Sequence, residues 1–208
     1  MLENIFKQIH WLGHDGFRID GLQTIYIDPY QIAGGPPADL VLVTHEHFDH
    51  CSPEDVAKIQ KKETVIVTEK DSAQKLSGDV RVVKAGDRVA VGGVTVDVVP
   101  AYNTDKDFHP KAKGWLGFVV ETDGVRIYHA GDTDHIPEMT HIQADIALLP
   151  VSGTYVMTAA QAVDAALALL PKIAVPMHYG AVAGTADDAL AFKKGLEGRV
   201  EVRVLAKE

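Results

Sequence analysis

The segment Thr44-His45-Glu46-His47-Phe48-Asp49-His50 constrains this 208-residue chain more than any other. It packs four metal-ligand candidates, His45, His47, Asp49 and His50, into six consecutive positions. Ahead of it Leu40-Val41-Leu42-Val43 has the length and branching of a buried strand. Behind it Ser52-Pro53-Glu54-Asp55 reads as a helix start, with Ser52 as N-cap, Pro53 at the first helical position and acids in the first turn. The cluster therefore sits where a strand ends and a helix begins, the usual place for a ligand site in a layered α/β fold. In extended chain, residues i, i+2 and i+4 share a face, so His45, His47 and Asp49 point together, and the turn into the helix brings His50 toward the same space.

Neutral imidazoles and a carboxylate suit zinc, manganese or iron better than calcium. Four ligands exceed what one open catalytic ion takes from protein, so two adjacent ions sharing the set is the economical reading. Three later features are candidates to complete it. Asp132 follows a strand and a glycine turn (Tyr128-His129-Ala130-Gly131), and a carboxylate can bridge two cations. His178 ends the strand Ala174-Val175-Pro176-Met177. His109 lies in the long polar loop 101–114. His14, in the turn Gly13-His14-Asp15-Gly16, is weaker; His129 reads as a strand residue behind the site, and His10, His135 and His141 as surface or structural residues.

The rest of the chain alternates in two rounds. Strands are expected at 5–12, 16–19 and 24–27, closed by Asp28-Pro29, then at 40–43, 64–68 and 80–83, with helices from Ser52 and over 70–76. A hairpin across Gly92-Gly93 joins 88–91 to 94–99, and another across Asp123-Gly124 joins 116–121 to 125–129. Strands at 146–149, 173–176 and 200–204 then alternate with helices at 158–170 and 187–196. No linker divides the rounds, so residues 1–208 read as one domain, two sheets face to face with helices outside. Hydrophobic content of 46% is ample for that core.

Composition narrows the function. A formal net charge of −9 speaks against a nucleic-acid or anionic-membrane partner. No secretory signal or membrane-length apolar run is visible, so a cytoplasmic location without membrane insertion is expected. The one cysteine, Cys51, excludes an internal disulfide framework; it reads either as a soft ligand or as a packed, inert thiol.

His45-x-His47-x-Asp49-His50, then Gly131-Asp132-Thr133, then the late His178, resembles the metallo-β-lactamase superfamily of metal-dependent hydrolases over nearly the whole chain. The Gly-Asp-Thr turn, the His14 opening and the compact length are most similar to its ascorbate-6-phosphate lactonase-like branch. The resemblance implies an α/β fold, a four-layer αββα sandwich of two mixed sheets with outer helices. It implies two divalent ions, Zn2+ foremost with Mn2+ or iron as alternatives. His45 and His47 would hold the first with a third histidine, Asp49, His50 and His178 the second, and Asp132 would bridge. Asn103 stands where related sequences carry that third histidine; an amide oxygen is a poor zinc ligand, so His109 is the expected ligand.

A metal-bound hydroxide would then cleave an ester, lactone or phosphodiester of a small, anionic substrate. Asp49 would orient the nucleophile and His14 would donate a hydrogen bond nearby. Lys106, Lys111 and Lys113, beside Tyr102 and Trp115, read either as the receptor for the substrate's anionic group or as a solvated loop. Rival readings are a dinuclear-iron redox or oxygen enzyme on the same scaffold, a nuclease, and a catalytically silent metal-binding module. Self-association is left open.

Overall fold

The computed structural model describes residues 1–208. The first sheet holds β1 (Ile9–Gly13), β2 (Gly16–Asp20), β3 (Thr24–Ile27), β4 (Ala38–Val43), β5 (Gln60–Thr68) and β6 (Asp79–Val82) in chain order. The second runs, again in chain order, through β7 (Arg88–Val91), β8 (Val94–Pro100), β9 (Leu116–Thr122), β10 (Val125–His129), β11 (Ile146–Pro150), β12 (Ile173–Met177) and β13 (Glu201–Val202). Each sheet opens antiparallel and turns parallel, at β3–β4 in the first and at β10–β11 in the second. Both are mixed, as expected, and five helices accompany them: α1 (Leu2–Phe6), α2 (Pro53–Ile59), α3 (Lys70–Ala73), α4 (Ala159–Leu169) and α5 (Ala186–Gly195).

Alternation along the strands explains the layering. In β4, Leu40 and Leu42 join the large core between the sheets, while Val41 and Val43 join a smaller cluster with Val56 and Ile59 of α2. β3 repeats the pattern, with Ile25 and Ile27 inward and Tyr26 outward. A strand buried on both faces needs apolar residues throughout, which is why 40–43 reads as an unbroken run. On the far side α4 sends Ala162, Ala165, Ala166 and Leu169 into the large core. The result is the αββα sandwich. No helix is long and apolar enough to cross a membrane.

Several boundaries differ from expectation. Residues 2–6 form a helix, not the start of a strand: Leu2, Ile5 and Phe6 are spaced for one helical face, and Ile5 and Phe6 are buried. β5 begins at Gln60, directly after α2, because Thr64 Oγ1 donates to Ala38 O and Lys61 N to Thr64 Oγ1, tying the polar stretch to the β4 edge. α3 stops at Ala73 and the last strand shrinks to two residues. The α2 start is as read, with Ser52 Oγ accepting from Asp55 N. Thr158 caps α4 with a reciprocal Gln161 contact. Cys51 is buried against α2, and burial pushes its thiol up to about 11. It is the inert thiol, not a soft ligand.

Gly131 has a φ of 64°, and a Cβ there would lie 2.6 Å from Leu116 O and 3.2 Å from Thr44 Cγ2. Only glycine turns the chain from β10 into Asp132 at that approach. Gly131→Ala is expected to cost about 2 kcal/mol or more, read as a lowered urea midpoint.

Candidate metal centre

All the expected site residues lie at one end of the sandwich, on loops leaving the sheets. The first sheet supplies His14 from the β1–β2 turn and the segment 45–50 after β4; the second supplies His109 after β8, Asp132 after β10 and His178 after β12. His45, His47 and His109 form one group, and His14, Asp49, His50 and His178 a second, with ligand atoms mutually within 4.8 Å in each. Asp132 lies between them, its Oδ2 3.1 Å from His109 Nε2 and 3.2 Å from His178 Nε2, its Oδ1 3.4 Å from His50 Nε2.

The hydrogen bonds behind the rings fix which nitrogen faces inward. Asp28 Oδ1 accepts from Thr44 N at 2.8 Å, and Oδ2 accepts from Thr44 Oγ1 at 2.6 Å and from His50 Nδ1 at 2.8 Å. Since the Thr44 hydroxyl proton is committed to Asp28, its oxygen accepts from His45 Nδ1 at 3.0 Å. That leaves His45 Nε2 facing His47 Nδ1, also 3.0 Å away. His109 Nδ1 donates toward Asn103 Oδ1 and Tyr155 O at 3.1 and 3.2 Å, so its Nε2 points to Asp132. Asn103 thus orients the histidine, and His109, not Asn103, joins His45 and His47. Ser152 Oγ holds His178 Nδ1 at 2.8 Å. His45, His50, His109 and His178 are thus braced from outside while the other nitrogen of each aims at the shared space, the usual arrangement around a metal.

The electrostatics fit cations. His50 Nε2, His109 Nε2 and Asp132 Oδ1 are buried without a hydrogen-bond partner. Burial opposes charge on Asp132, but the imidazolium groups of His178 and His50 outweigh it and hold its carboxyl well below the usual range. Burial also opposes charge on His178 and His50, yet Asp132 outweighs it, pushing His178 up to about 9 and His50 well above its ordinary value. At His45 burial and the neighbouring His50 outweigh the pull of Asp132 and drive it well below its ordinary value. His14 is lowered by burial, and its Nε2 donates to Asp49 Oδ2 at 3.0 Å.

Two buried acids were not anticipated as site residues. Asp28 braces Thr44 and His50, and its only sequence signal is the Asp-Pro strand end. Asp15 is fully buried with both carboxylate oxygens unpartnered, beside His50, Asp132 and His178, and burial raises its pKa well above the ordinary value. His129, expected behind the site, accepts from Gly131 N on Nδ1 and donates from Nε2 to Asp15 O at 2.9 Å, clipping the two sheets together.

Of the two readings of the loop lysines, the structure favours the solvated loop. Lys106 pairs with Asp105 and Asp134, Lys111 with Glu138 and the Tyr102 hydroxyl, and Lys113 with Glu46. Every ammonium has a carboxylate partner, and none of the three lines the opening above the cluster. Trp115 instead packs on His45 and His47, ring centroids 4.8 and 4.7 Å away.

Fold and donor set together define a metal-dependent hydrolase of the β-lactamase type. The family model described as "Beta-lactamase superfamily domain" matches residues 8–178, and the chain belongs to that superfamily. It is 36% identical to a UPF0173 metal-dependent hydrolase of Methanoregula boonei, covering 93% of this chain and 91% of that protein. A crystal structure from Parabacteroides distasonis, assigned as a metal-dependent hydrolase, is 35% identical with a TM-score of 0.84, covering 95% of this chain and 91% of that one. Igni18, a metallo hydrolase of Ignicoccus hospitalis, is 26% identical with a TM-score of 0.76, covering 96% of this chain and 94% of that one.

Two predictions follow from the bracing and the charges. Asp28→Ala is expected to weaken metal binding about 10- to 100-fold in a chelator competition, without Asp28 itself touching an ion. A protonated imidazole has no lone pair to offer. With His178 raised to about 9 in the metal-free chain, its proton must leave on binding. Affinity measured by titration calorimetry should therefore rise with pH between about 6 and 8, by about tenfold per unit for each proton displaced.

Proposed function

We propose that the chain, acting as one domain, uses two divalent cations, zinc first among them, to hydrolyse an ester, lactone or phosphodiester of a small molecule. His45, His47 and His109 would hold one ion, Asp49, His50 and His178 the other, and Asp132 would be shared. The observation that carries this reading is the inward-facing set of imidazole nitrogens, those of His45, His50, His109 and His178 braced on the far side and three of them within 3.4 Å of one buried carboxylate. Such ions, when bound, lower the pKa of water toward neutrality and polarise a carbonyl or phosphoryl oxygen.

The chain's own residues do the rest. Burial opposes the Asp49 charge, but the hydrogen bond from His14 outweighs it and keeps the carboxylate ionised. One Asp49 oxygen is thereby positioned to accept a proton from the attacking water and to return it to the leaving group. His14, uncharged through burial, holds Asp49 at that angle without adding a competing positive charge. With the three loop lysines engaged elsewhere, any negative charge on the substrate is met by the cations themselves.

Elemental analysis of protein purified without added metal should give two ions per chain. Hydrolysis of simple esters, lactones or phosphodiesters should fall at least about a hundredfold in His47→Ala and Asp132→Ala, with circular dichroism unchanged. Iron with visible absorbance and oxygen consumption would replace hydrolysis with redox chemistry. Full activity in both variants would sink the reading.

A further inference from the structure

The opening above the ligand cluster has a distinct chemistry. A cavity of about 220 Å³ has His47, Asp49, His109 and Asp132 on its floor and Phe48, Phe108, Tyr155 and Val182 around its walls. That volume lies below the ~300–1,000 Å³ of common ligand clefts, so its occupant is small. Phe48 is 66% exposed, Phe108 50% and Val182 38%. Single exposed apolar side chains are ordinary, but three converging on the mouth of one polar pocket are not.

The rings are held in position. Phe108 meets Tyr155 edge to face, centroids 4.8 Å apart at 88°, and Phe48 meets Tyr30 at 5.9 Å and 76°. Edge-to-face pairing is the favoured geometry between aromatic rings, and it leaves each phenylalanine with a face uncovered by its partner. Phe48 and Phe108 come from different loops, one after β4 and one after β8, and both line the one cavity. No lysine or arginine lines the space. The only charged groups there belong to the floor.

We infer that this pair of phenylalanines is a specificity clamp: the part of the substrate beyond the scissile bond is a small apolar group, best a flat ring, held between Phe48 and Phe108. The inference rests on the metal-centred reading, since the cations anchor the reacting end on the floor. Around this opening the lining offers apolar surface and no ammonium group.

Hydroxamates test this, because one constant head group seats on the metal and only the tail varies. Acetohydroxamate, phenylacetohydroxamate and the carboxylate-tailed succinohydroxamate are titrated into metal-loaded protein by calorimetry, with Trp115 fluorescence as a second signal. Half-burying a phenyl group predicts that phenylacetohydroxamate binds about tenfold or more tighter than acetohydroxamate. Succinohydroxamate should gain nothing. In Phe108→Ala and in Phe48→Ala,Phe108→Ala the phenylacetyl-to-acetyl affinity ratio should fall to about two, with metal content checked in each. Phe108→Ala alone keeps the test valid if altering Phe48 disturbs its ligand neighbours.

A wild-type ratio near one, an equal gain for succinohydroxamate, or a ratio that survives both variants would overturn the clamp while leaving the metal reading intact. Failure of the metal-loaded wild type to bind any of the three would instead remove the metal-centred reading, and the clamp with it.

Discussion

The end of this sandwich is organised by one buried carboxylate. Asp132 is almost wholly withdrawn from water, yet three imidazoles stand within 3.4 Å of its oxygens. A lone buried charge costs several kcal/mol, and an ionised carboxylate survives there only with positive partners. Protonated His50 and His178 can serve in the metal-free chain, and cations serve better because they leave the imidazoles neutral and coordinated. The surrounding loops satisfy this requirement. Gly131 turns the chain so Asp132 enters the space, and Thr44 beneath it holds the His45 ring.

The bracing behind the ligands follows from the same need. A histidine free to rotate would present either nitrogen, and a soft, disordered cluster would bind weakly. Asp28 prevents this for two rings at once, one directly and one through the Thr44 hydroxyl. Asn103 and the Tyr155 carbonyl do it for His109, and Ser152 for His178. These partners are short polar side chains or backbone, which keeps the site narrow and leaves its outer wall to aromatic rings.

Legibility in the sequence divided along physical lines. The segment 45–50, Asp132 and His178 could be read because ligand residues at strand ends are unusual wherever they occur, and the apolar runs before them marked the strands. Asp28 and Asp15 could not, because an acid in a turn is ordinary until the register of β3 beside β4, and of one sheet against the other, places it against an imidazole. The carboxylate partners of the lysines in the 101–114 loop were hidden for the same reason. Those partners, Asp134, Glu138 and Glu46, lie 28, 27 and 67 residues away. In the fold, strands buried on both faces declared themselves as apolar runs. The opening turn of helix did not, because five residues carry too little periodicity to separate a helix from a strand.

The two groups of ligands also couple the centre to the fold as a whole. His45 and His47 come from the first sheet, but the group closes only with His109 from the second; His14, Asp49 and His50 likewise close only with His178. Neither sheet holds a complete set alone. Any ion bound there would span the interface between the sheets, which is apolar at its centre and is also crossed by the bonds of His129 to Asp15 O, Leu116 N to Thr44 O and His178 N to His14 O. Binding free energy at such a site is available only when the sheets are packed, so it adds to the cooperativity of the sandwich. Where purely hydrophobic contacts would let the sheets slide, directional bonds across the seam favour one register. The residues gathered at this end of the sandwich would, with ions bound, also help to specify the alignment of the two halves that bring them together.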